Sequence, residues 1–224
     1  MIIGVGIAVW RQAPIERFAH LADCALEHAC IACGHYACGA QFGDDETANK
    51  GAPGADAFVT QSTKAADMIR HDPNIQLVFM DVGGWDTHVG QGNAKGQLAN
   101  KLERLGQGLA ALTQGLGPEY KNTTILIMSE FGRTVKQNGN NGTDHGHGNV
   151  AWLMGGAVRG GKVYTRWPGL APNQLWQGRD LAVTTDFRST IGAVIAGQFG
   201  TPDSTLQQII PNYVRDPMLS GIVG

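Results

Sequence analysis

Six leucines between residues 98 and 116 constrain the fold more than any other feature of this 224-residue chain. They follow one another at intervals of 4, 3, 4, 3 and 4 residues. Only an α-helix places residues at this spacing on one face, so the segment is predicted to be a helix that buries the stripe. Gly115 and the Gly117-Pro118 pair mark its end. The six positions are Leu98, Leu102, Leu105, Leu109, Leu112 and Leu116.

Two apolar runs flank this helix, over residues 76–82 (QLVFMDV) and 123–128 (TTILIM). Such uninterrupted runs are typical of strands that are buried on both faces. A strand, a helix and a second strand predict a βαβ unit, and therefore an α/β fold with a mostly parallel sheet flanked by helices. The other predicted elements are a helix over 57–70, a strand over 150–154, a short strand over 162–164, a helix that follows Thr185 and Asp186 and runs to residue 199, and a short helix from Pro202.

The first fifty residues differ from the rest of the chain. Loop-forming residues over 44–56 predict a boundary between a cysteine-rich lead-in over 1–50 and the α/β domain over 51–224. All four cysteines fall in the lead-in with a single C-x2-C pair, so a structural zinc site, a helix of small residues and an irregular segment are left open. They are Cys24, Cys30, Cys33 and Cys38.

Charge and hydropathy exclude several classes of protein. The chain has 17 Lys and Arg residues against 19 Asp and Glu residues and no basic cluster, which argues against nucleic acid as a partner. The apolar run over residues 1–10 is too short to span a bilayer, and no basic residues precede it as in a signal peptide.

Polar side chains follow the two predicted strands and fill a glycine-rich loop. The first strand leads into GGWDTH (83–88), the second into SEFGRT (129–134), and GTDHGHGN (142–149) comes next. Ligands of open parallel sheets bind beyond the carboxyl ends of the strands, so these three segments are expected at one edge. Their candidate metal ligands are Asp86, His88, Glu130, Asp144, His145 and His147.

Carboxylate oxygens and imidazole nitrogens together predict a divalent metal ion. Zinc is the first expectation, and manganese, calcium and iron are left open because the ligand types do not select the metal. Arg133, close to Glu130, is a candidate for stabilising an anionic group, with an ordinary surface role as the alternative. The loop hydroxyls Thr87, Ser129 and Thr143 adjoin these residues, but the sequence does not identify a nucleophile among them.

In this order, the three motifs closely resemble those of the domain-of-unknown-function-1501 family, over about residues 50–211. That family is placed in the alkaline-phosphatase-like superfamily of sulfatases, phosphatases and phosphoglycerate mutases. The resemblance implies helices around a mostly parallel sheet, with one or two divalent metals at the strand ends. It also implies that Asp86 and His88 correspond to a D-x-x-x-H metal pair at shorter spacing, and that Phe131 stands where a histidine would follow Glu130.

The resemblance also concerns the start of the chain. Family members begin with a strand that ends in GG-x-DG and carries a metal-binding acid and the nucleophile, and nothing in residues 1–50 resembles it. The chain is therefore expected to be the C-terminal part of such a domain, incomplete at its N-terminus. The resemblance implies an exported, periplasmic bacterial protein, although this sequence shows no signal peptide.

The leading hypothesis is a metal-dependent hydrolase that acts on small anionic esters of phosphate or sulfate. The metal polarises the ester oxygen and lowers the pKa of a bound nucleophile. One alternative is a non-catalytic metal- or ligand-binding relic of the fold that lacks the nucleophile strand. A second alternative is a redox or non-haem iron protein that uses two histidines and a carboxylate.

Overall fold

A computed structural model of the protein describes residues 4–11 and 55–224, in which helices cover both faces of one sheet. Short 3-10 turns follow α2 and precede the C-terminus. The helices and strands are, in chain order, β1 (Gly4–Arg11), α1 (Ala55–His71), β2 (Leu77–Gly83), α2 (Gln97–Leu116), β3 (Thr123–Ser129), β4 (Gly132–Arg133), β5 (His145–Gly146), β6 (Trp152–Gly155), α3 (Phe187–Phe199) and α4 (Asp203–Ile209).

The main sheet has four strands in the order β2-β1-β3-β6. β1 lies between β2 and β3 and pairs antiparallel with both, so that Gly4 is opposite Gly83 and Val5 is opposite Ser129. β6 pairs antiparallel with the other side of β3. β2 and β3 therefore run in the same direction, and both end at the edge where β1 begins.

The mostly parallel sheet predicted from the sequence is wrong for the described strands, because each pair of neighbours is antiparallel. Periodicity correctly predicted β2, α2 and β3 as a strand, a connecting helix and a strand. It did not predict β1, which occupies the position between the two strands and hydrogen-bonds to each of them. The expected common edge nevertheless exists, since the carboxyl ends of β2 and β3 both lie next to the start of β1.

α1 and α2 pack together on one face of the sheet. Side chains of three strands meet them there, and Ile7, Val82 and Ile125 are each fully buried in this layer. The two helices approach closely where Phe58 of α1 lies on Gly108 of α2, since a Cβ at Gly108 would come within 2.1 Å of the Phe58 ring. Because Gly108 has no side chain, α2 packs closely against α1.

The leucine stripe is confirmed as the buried face of α2 from its middle to its end. Leu109, Leu112 and Leu116 are buried within the core formed with α1 and the sheet. Leu105 is only 2% exposed, whereas Leu102, one turn earlier, is 42% exposed. The stripe therefore contributes to the core from Leu105 onward.

α3 and the C-terminal segment cover the other face of the sheet. Trp10 of β1 and Leu126 of β3 pack there against Val194 of α3. α3 begins where the sequence predicts, because Asp186 caps its first turn with a side-chain hydrogen bond. The predicted α1, β6 and α4 are also present, whereas residues 162–164 form no strand.

β2 is an edge strand, and the prediction that it is buried on both faces is wrong. Met80 and Val82 are buried against α1 and α2, but Phe79, which alternates with them, is 68% exposed. The second layer packs on β1, β3 and β6, and among the described residues its contact with β2 is Leu77 at the start of that strand. An apolar run alone does not distinguish a central strand from an edge strand.

The cysteine-rich lead-in lies almost entirely outside the described residues. Its four cysteines are Cys24, Cys30, Cys33 and Cys38, and none of them is described, so a structural zinc site there stays a prediction. Among residues 4–11 and 55–224, no helix has the length and apolar character that crossing a membrane requires.

Replacing Leu105 with Ala should lower the free energy of unfolding by about 2–5 kcal/mol, because the change opens a cavity in the core. Urea denaturation followed by circular dichroism measures this cost. Leu102→Ala is the matched control, since the same atoms are removed one turn earlier at an exposed position and the cost should stay below about 1 kcal/mol. Equal costs for the two variants would contradict the packing of α2 described above.

Candidate metal centre

Loops from three parts of the chain pack together at the edge where β2 and β3 end. The loop after β2 hydrogen-bonds to the loop before β5, where Gly90 N donates to Asn140 O at 2.9 Å. β4 and β5 form a two-stranded hairpin in which Arg133 is directly opposite His145. The strand ends and this hairpin bring residues of all three sequence motifs to one place.

Asp86, His88 and His145 converge at this edge. Asp86 Oδ1 lies 2.8 Å from His88 Nε2 and 3.0 Å from His145 Nε2. The two Nε2 atoms are themselves 3.0 Å apart. We call this group the triad; within the part of the chain that the structure describes, it is the cluster of His, Cys, Asp and Glu side chains able to share one metal ion.

Both ring nitrogens of His88 face an oxygen of a carboxylate. His88 Nδ1 lies 3.0 Å from Asp144 Oδ1, and because an ionised carboxylate can only accept, His88 donates its Nδ1 proton there. In the neutral ring, His88 Nε2 is then an acceptor that faces the carboxylate oxygen of Asp86 at 2.8 Å. Only an additional proton or a metal ion between these atoms makes the contact attractive.

A metal ion fits the triad. Zinc binds histidine nitrogen and carboxylate oxygen at about 2.0–2.2 Å, and the mutual distances of 2.8–3.0 Å would allow the three atoms to share one ion. The three side chains are 36–39% exposed, so the triad is accessible from solvent. Three protein ligands with one open position are typical of catalytic zinc sites, whereas structural sites are closed by four protein ligands.

Asp144 lies behind His88 and does not join the triad. Its Oδ1 accepts hydrogen bonds from His88 Nδ1 and Asn138 Nδ2, each at 3.0 Å. These bonds, the one from Asn138 first, hold the pKa of Asp144 below its usual range. A carboxylate that orients a ligating histidine in this way is a common feature of metal sites. The structure thus places a predicted ligand in an orienting position.

Arg133 contacts the triad from the hairpin. Its Nη1 donates to Asp86 Oδ1 at 2.7 Å, and its Nε and Nη2 donate to the hydroxyl and the carbonyl oxygen of Thr143. Burial raises the pKa of Asp86, but the hydrogen bonds from Arg133 and His145 outweigh it, so that the net pKa lies below the usual range. Asp86 is therefore an ionised carboxylate at neutral pH, as a metal ligand must be.

Gly142 allows the loop before β5 to lie directly on the loop after β2. A Cβ at this position would come within 2.2 Å of the carbonyl oxygen of His88. The contact continues through Gln91 Oε1, which accepts from the hydroxyls of Thr87 and Thr143 at 2.7 Å each. Any side chain at Gly142 would separate the two loops that carry the histidines of the triad.

The three hydroxyls considered as nucleophiles are engaged elsewhere. Thr87 and Thr143 donate to Gln91, and Ser129 donates to the carbonyl oxygen of Phe131 at 3.0 Å. A nucleophilic hydroxyl is normally activated by a neighbouring base. In residues 4–11 and 55–224, none of these three hydroxyls is hydrogen-bonded to a histidine or a carboxylate.

His147 binds Asp180 and does not join the triad. Its ring Nδ1 and its backbone N both donate to Asp180 Oδ2, at 2.9 and 2.7 Å, and Arg179 Nε donates to Asp180 Oδ1 at 3.2 Å. Burial raises the pKa of the fully buried Asp180, but these hydrogen bonds outweigh it and lower the net pKa. The sequence analysis missed Asp180, because a single acid in an irregular loop belongs to no motif.

Glu130 is exposed and belongs to a pocket that adjoins the triad. We call this the side pocket; its volume is about 390 Å³, and His145 belongs to both the pocket and the triad. Glu130 and His147 were also predicted as metal ligands. The described geometry does not place them in the triad, so metal binding by these two residues stays a prediction. The residues that line the side pocket are Glu130, Phe131, His145, Gly146, His147, Arg179 and Val183.

Comparison with protein families establishes how this chain is related to others. Residues 37–210 match the family described as "Protein of unknown function (DUF1501)". The chain belongs to the DUF1501 family. The triad and the side pocket both lie inside the matched region of this DUF1501 protein. Comparison with curated proteins and with solved structures finds no match.

Replacing Asp180 with Asn should destabilise the DUF1501 protein by about 1–3 kcal/mol at neutral pH, because buried charge-assisted hydrogen bonds are lost. The folded-state pKa of Asp180 is lowered, so its contribution is complete above the unfolded-state pKa of about 3.9 and is lost as the pH falls through the folded-state value. Urea denaturation at a series of pH values should show the wild-type advantage shrinking on acidification.

Asp67→Asn, on the exposed surface of α1, is the control for this experiment and should change stability at neutral pH by less than about 0.5 kcal/mol. A wild-type advantage over Asp180→Asn that stays constant down to acid pH would contradict the assignment of Asp180 as an ionised buried acceptor.

Proposed function

We propose that this DUF1501 protein binds one divalent metal ion at the triad and uses it to hydrolyse small esters of phosphate or sulfate. The observation that carries the proposal is the convergence of His88 Nε2 and Asp86 Oδ1 at 2.8 Å, a contact that a metal ion or an additional proton between the two atoms would make attractive. The third member, His145, lies 3.0 Å from each of them. Zinc suits two imidazoles and a carboxylate, and manganese, calcium and iron are the alternatives to test.

Hydrolysis is the reaction that an open coordination position supports best. When bound, the metal would supply Lewis-acid polarisation of the ester oxygen and would lower the pKa of an attacking water. The hydroxyls of Thr87, Ser129 and Thr143 donate to an amide or a carbonyl oxygen and not to a base, which favours water as the nucleophile over these three. The resemblance of the motifs to the alkaline-phosphatase-like superfamily supports the choice of phosphate and sulfate esters.

The chain's own residues have distinct roles in this proposal. Asp86, His88 and His145 hold the ion, and Asp144 keeps the Nδ1 proton of His88 so that Nε2 is free to bind. Arg133 holds Asp86 Oδ1 in place, and its charge offsets part of the negative charge around the ion. We assign Arg133 to holding Asp86 and not to stabilising a substrate anion directly, because its Nε and Nη2 already donate to Thr143.

One alternative function is favoured by the composition of the triad. Two histidines and one carboxylate with open positions are also the ligand set of non-haem iron oxygenases. The two functions differ in the metal that is retained and in the co-reactant, since an oxygenase consumes O₂ whereas a hydrolase requires only water. Oxygen consumption by the protein reconstituted with Fe(II) distinguishes them.

The purified protein should bind about one zinc ion per chain, and Asp86→Asn should weaken zinc affinity by more than about 100-fold, because it removes the anionic ligand. Competition with a chromogenic chelator measures the affinity, and elemental analysis measures the stoichiometry. Asp144→Asn should weaken zinc affinity by about 10–100-fold, since it only disturbs the orientation of His88.

His71→Gln is the matched control, because His71 is exposed at the end of α1, before β2 begins, and thus at the opposite end of the sheet. Its zinc affinity should equal that of the wild type. Zinc bound with the same affinity by Asp86→Asn and the wild type would exclude the triad as the metal site.

The zinc-loaded protein should hydrolyse an aryl phosphate or an aryl sulfate, and Asp86→Asn should lower kcat/KM by at least about 100-fold. Release of the aryl alcohol is followed spectroscopically, with the zinc-free protein and His71→Gln measured in parallel. Stoichiometric zinc binding without turnover of either ester would contradict the hydrolase proposal and support a non-catalytic metal-binding protein.

A further inference from the structure

Arg179 presents an unpaired guanidinium end to the side pocket. Its Nε donates to Asp180 Oδ1 at 3.2 Å, but within the described part of the chain neither Nη1 nor Nη2 has a hydrogen-bond partner. The side chain is 51% exposed, so these donors are accessible from solvent. Two parallel N–H donors on a planar guanidinium match the geometry of phosphate and sulfate oxygens.

One hydrogen bond holds this guanidinium, and the acceptor of that bond is itself fixed by the fold. The carboxylate of Asp180 is fully buried, and His147 holds its other oxygen through two hydrogen bonds. The backbone is also tied down, since Val135 N donates to Arg179 O at 3.1 Å and Trp176 N donates to Asp180 O at 2.8 Å. Arg179 is therefore anchored through its Nε and its backbone at the side pocket that His145 also lines.

We propose that the side pocket binds the anionic group of the substrate through Nη1 and Nη2 of Arg179. This inference rests on the proposed function, because it identifies the anion as the phosphate or sulfate of the ester that is hydrolysed. His145 lines the pocket and belongs to the triad, so an anion on Arg179 lies next to the position of the ion. One oxygen of the group can then face the ion while others face the guanidinium.

The other walls of the pocket define the organic part of the ester. Phe131 and Val183 are apolar, and the Phe131 ring packs on the His145 ring with centroids 4.3 Å apart. The volume of about 390 Å³ is near the lower end of the range of about 300–1,000 Å³ for small-molecule sites. Glu130 adds a negative charge that disfavours ligands with several anionic groups. The substrate class is a small monoester with an apolar organic group.

The test measures anion binding in the absence of metal. The full ¹⁵N-labelled chain, freed of metal by chelation, is titrated with inorganic phosphate and separately with sulfate, and amide shifts are followed by NMR. The amides of Gly146 and Arg179 should shift and saturate. Arg179→Gln should raise the dissociation constant at least about tenfold, because it removes a charge-assisted bidentate contact.

Two variants make the result specific. Arg179→Lys keeps the charge without the paired donors, and its dissociation constant should lie between those of the wild type and Arg179→Gln. Arg104→Gln is the matched control, since Arg104 is exposed on α2 and donates Nη1 to Gln107 on the same helix. It should bind phosphate as the wild type does.

The absence of saturable shifts at Gly146 and Arg179, or equal dissociation constants for the wild type and Arg179→Gln, would overturn the proposal. Zinc affinity measured on the same samples should be unchanged by Arg179→Gln. Saturable, Arg179-dependent phosphate binding by a protein that does not bind zinc would refute the hydrolase function while leaving the anion site standing, so the two failures are distinguishable.

Discussion

The antiparallel pairing of β1 with two strands at once determines the geometry of this DUF1501 protein. Because β2 and β3 are both antiparallel to β1, they run in one direction and end at the same edge of the sheet. Asp86 and His88 follow the end of β2, and the hairpin that carries His145 follows the end of β3. The convergence of the triad is thus a consequence of sheet topology, and a single motif would not produce it.

Two aspartate–histidine pairs flank His145, one at the triad and one at the side pocket. Asp144 orients His88 toward the triad, whereas Asp180 orients His147 and Arg179 toward the side pocket. In each pair the carboxylate fixes which ring nitrogen carries the proton, and the other nitrogen is left for an incoming group. In the proposed function, one pair serves the cation and the other serves the anion, with His145 between them.

Local patterns in the sequence were sufficient to predict several helices and strands and part of the candidate site. The leucine spacing predicted α2, the apolar runs predicted β2 and β3, and the motifs correctly named Asp86, His88 and His145 as neighbours at one edge. Strand direction was not predictable, because pairing partners distant in sequence leave no periodic signal. The sequence also could not show which acids bind the ion and which orient a histidine. The carboxylate of Asp144 is able to do either, and its contact with His88 Nδ1 identifies it as an orienting residue.

The place of β1 in the chain has a consequence for how the protein folds. β1 precedes the other described elements in sequence, yet its Val5 pairs with Ser129, which lies more than half the chain length away. α1, β2, α2 and β3 are connected by short segments and can associate early, whereas pairing with β1 joins residues far apart in sequence and carries a larger entropic cost. We therefore expect the central strand to join the sheet after these elements have associated. Until it does, β2 and β3 expose unpaired backbone edges that can pair with another copy of the chain.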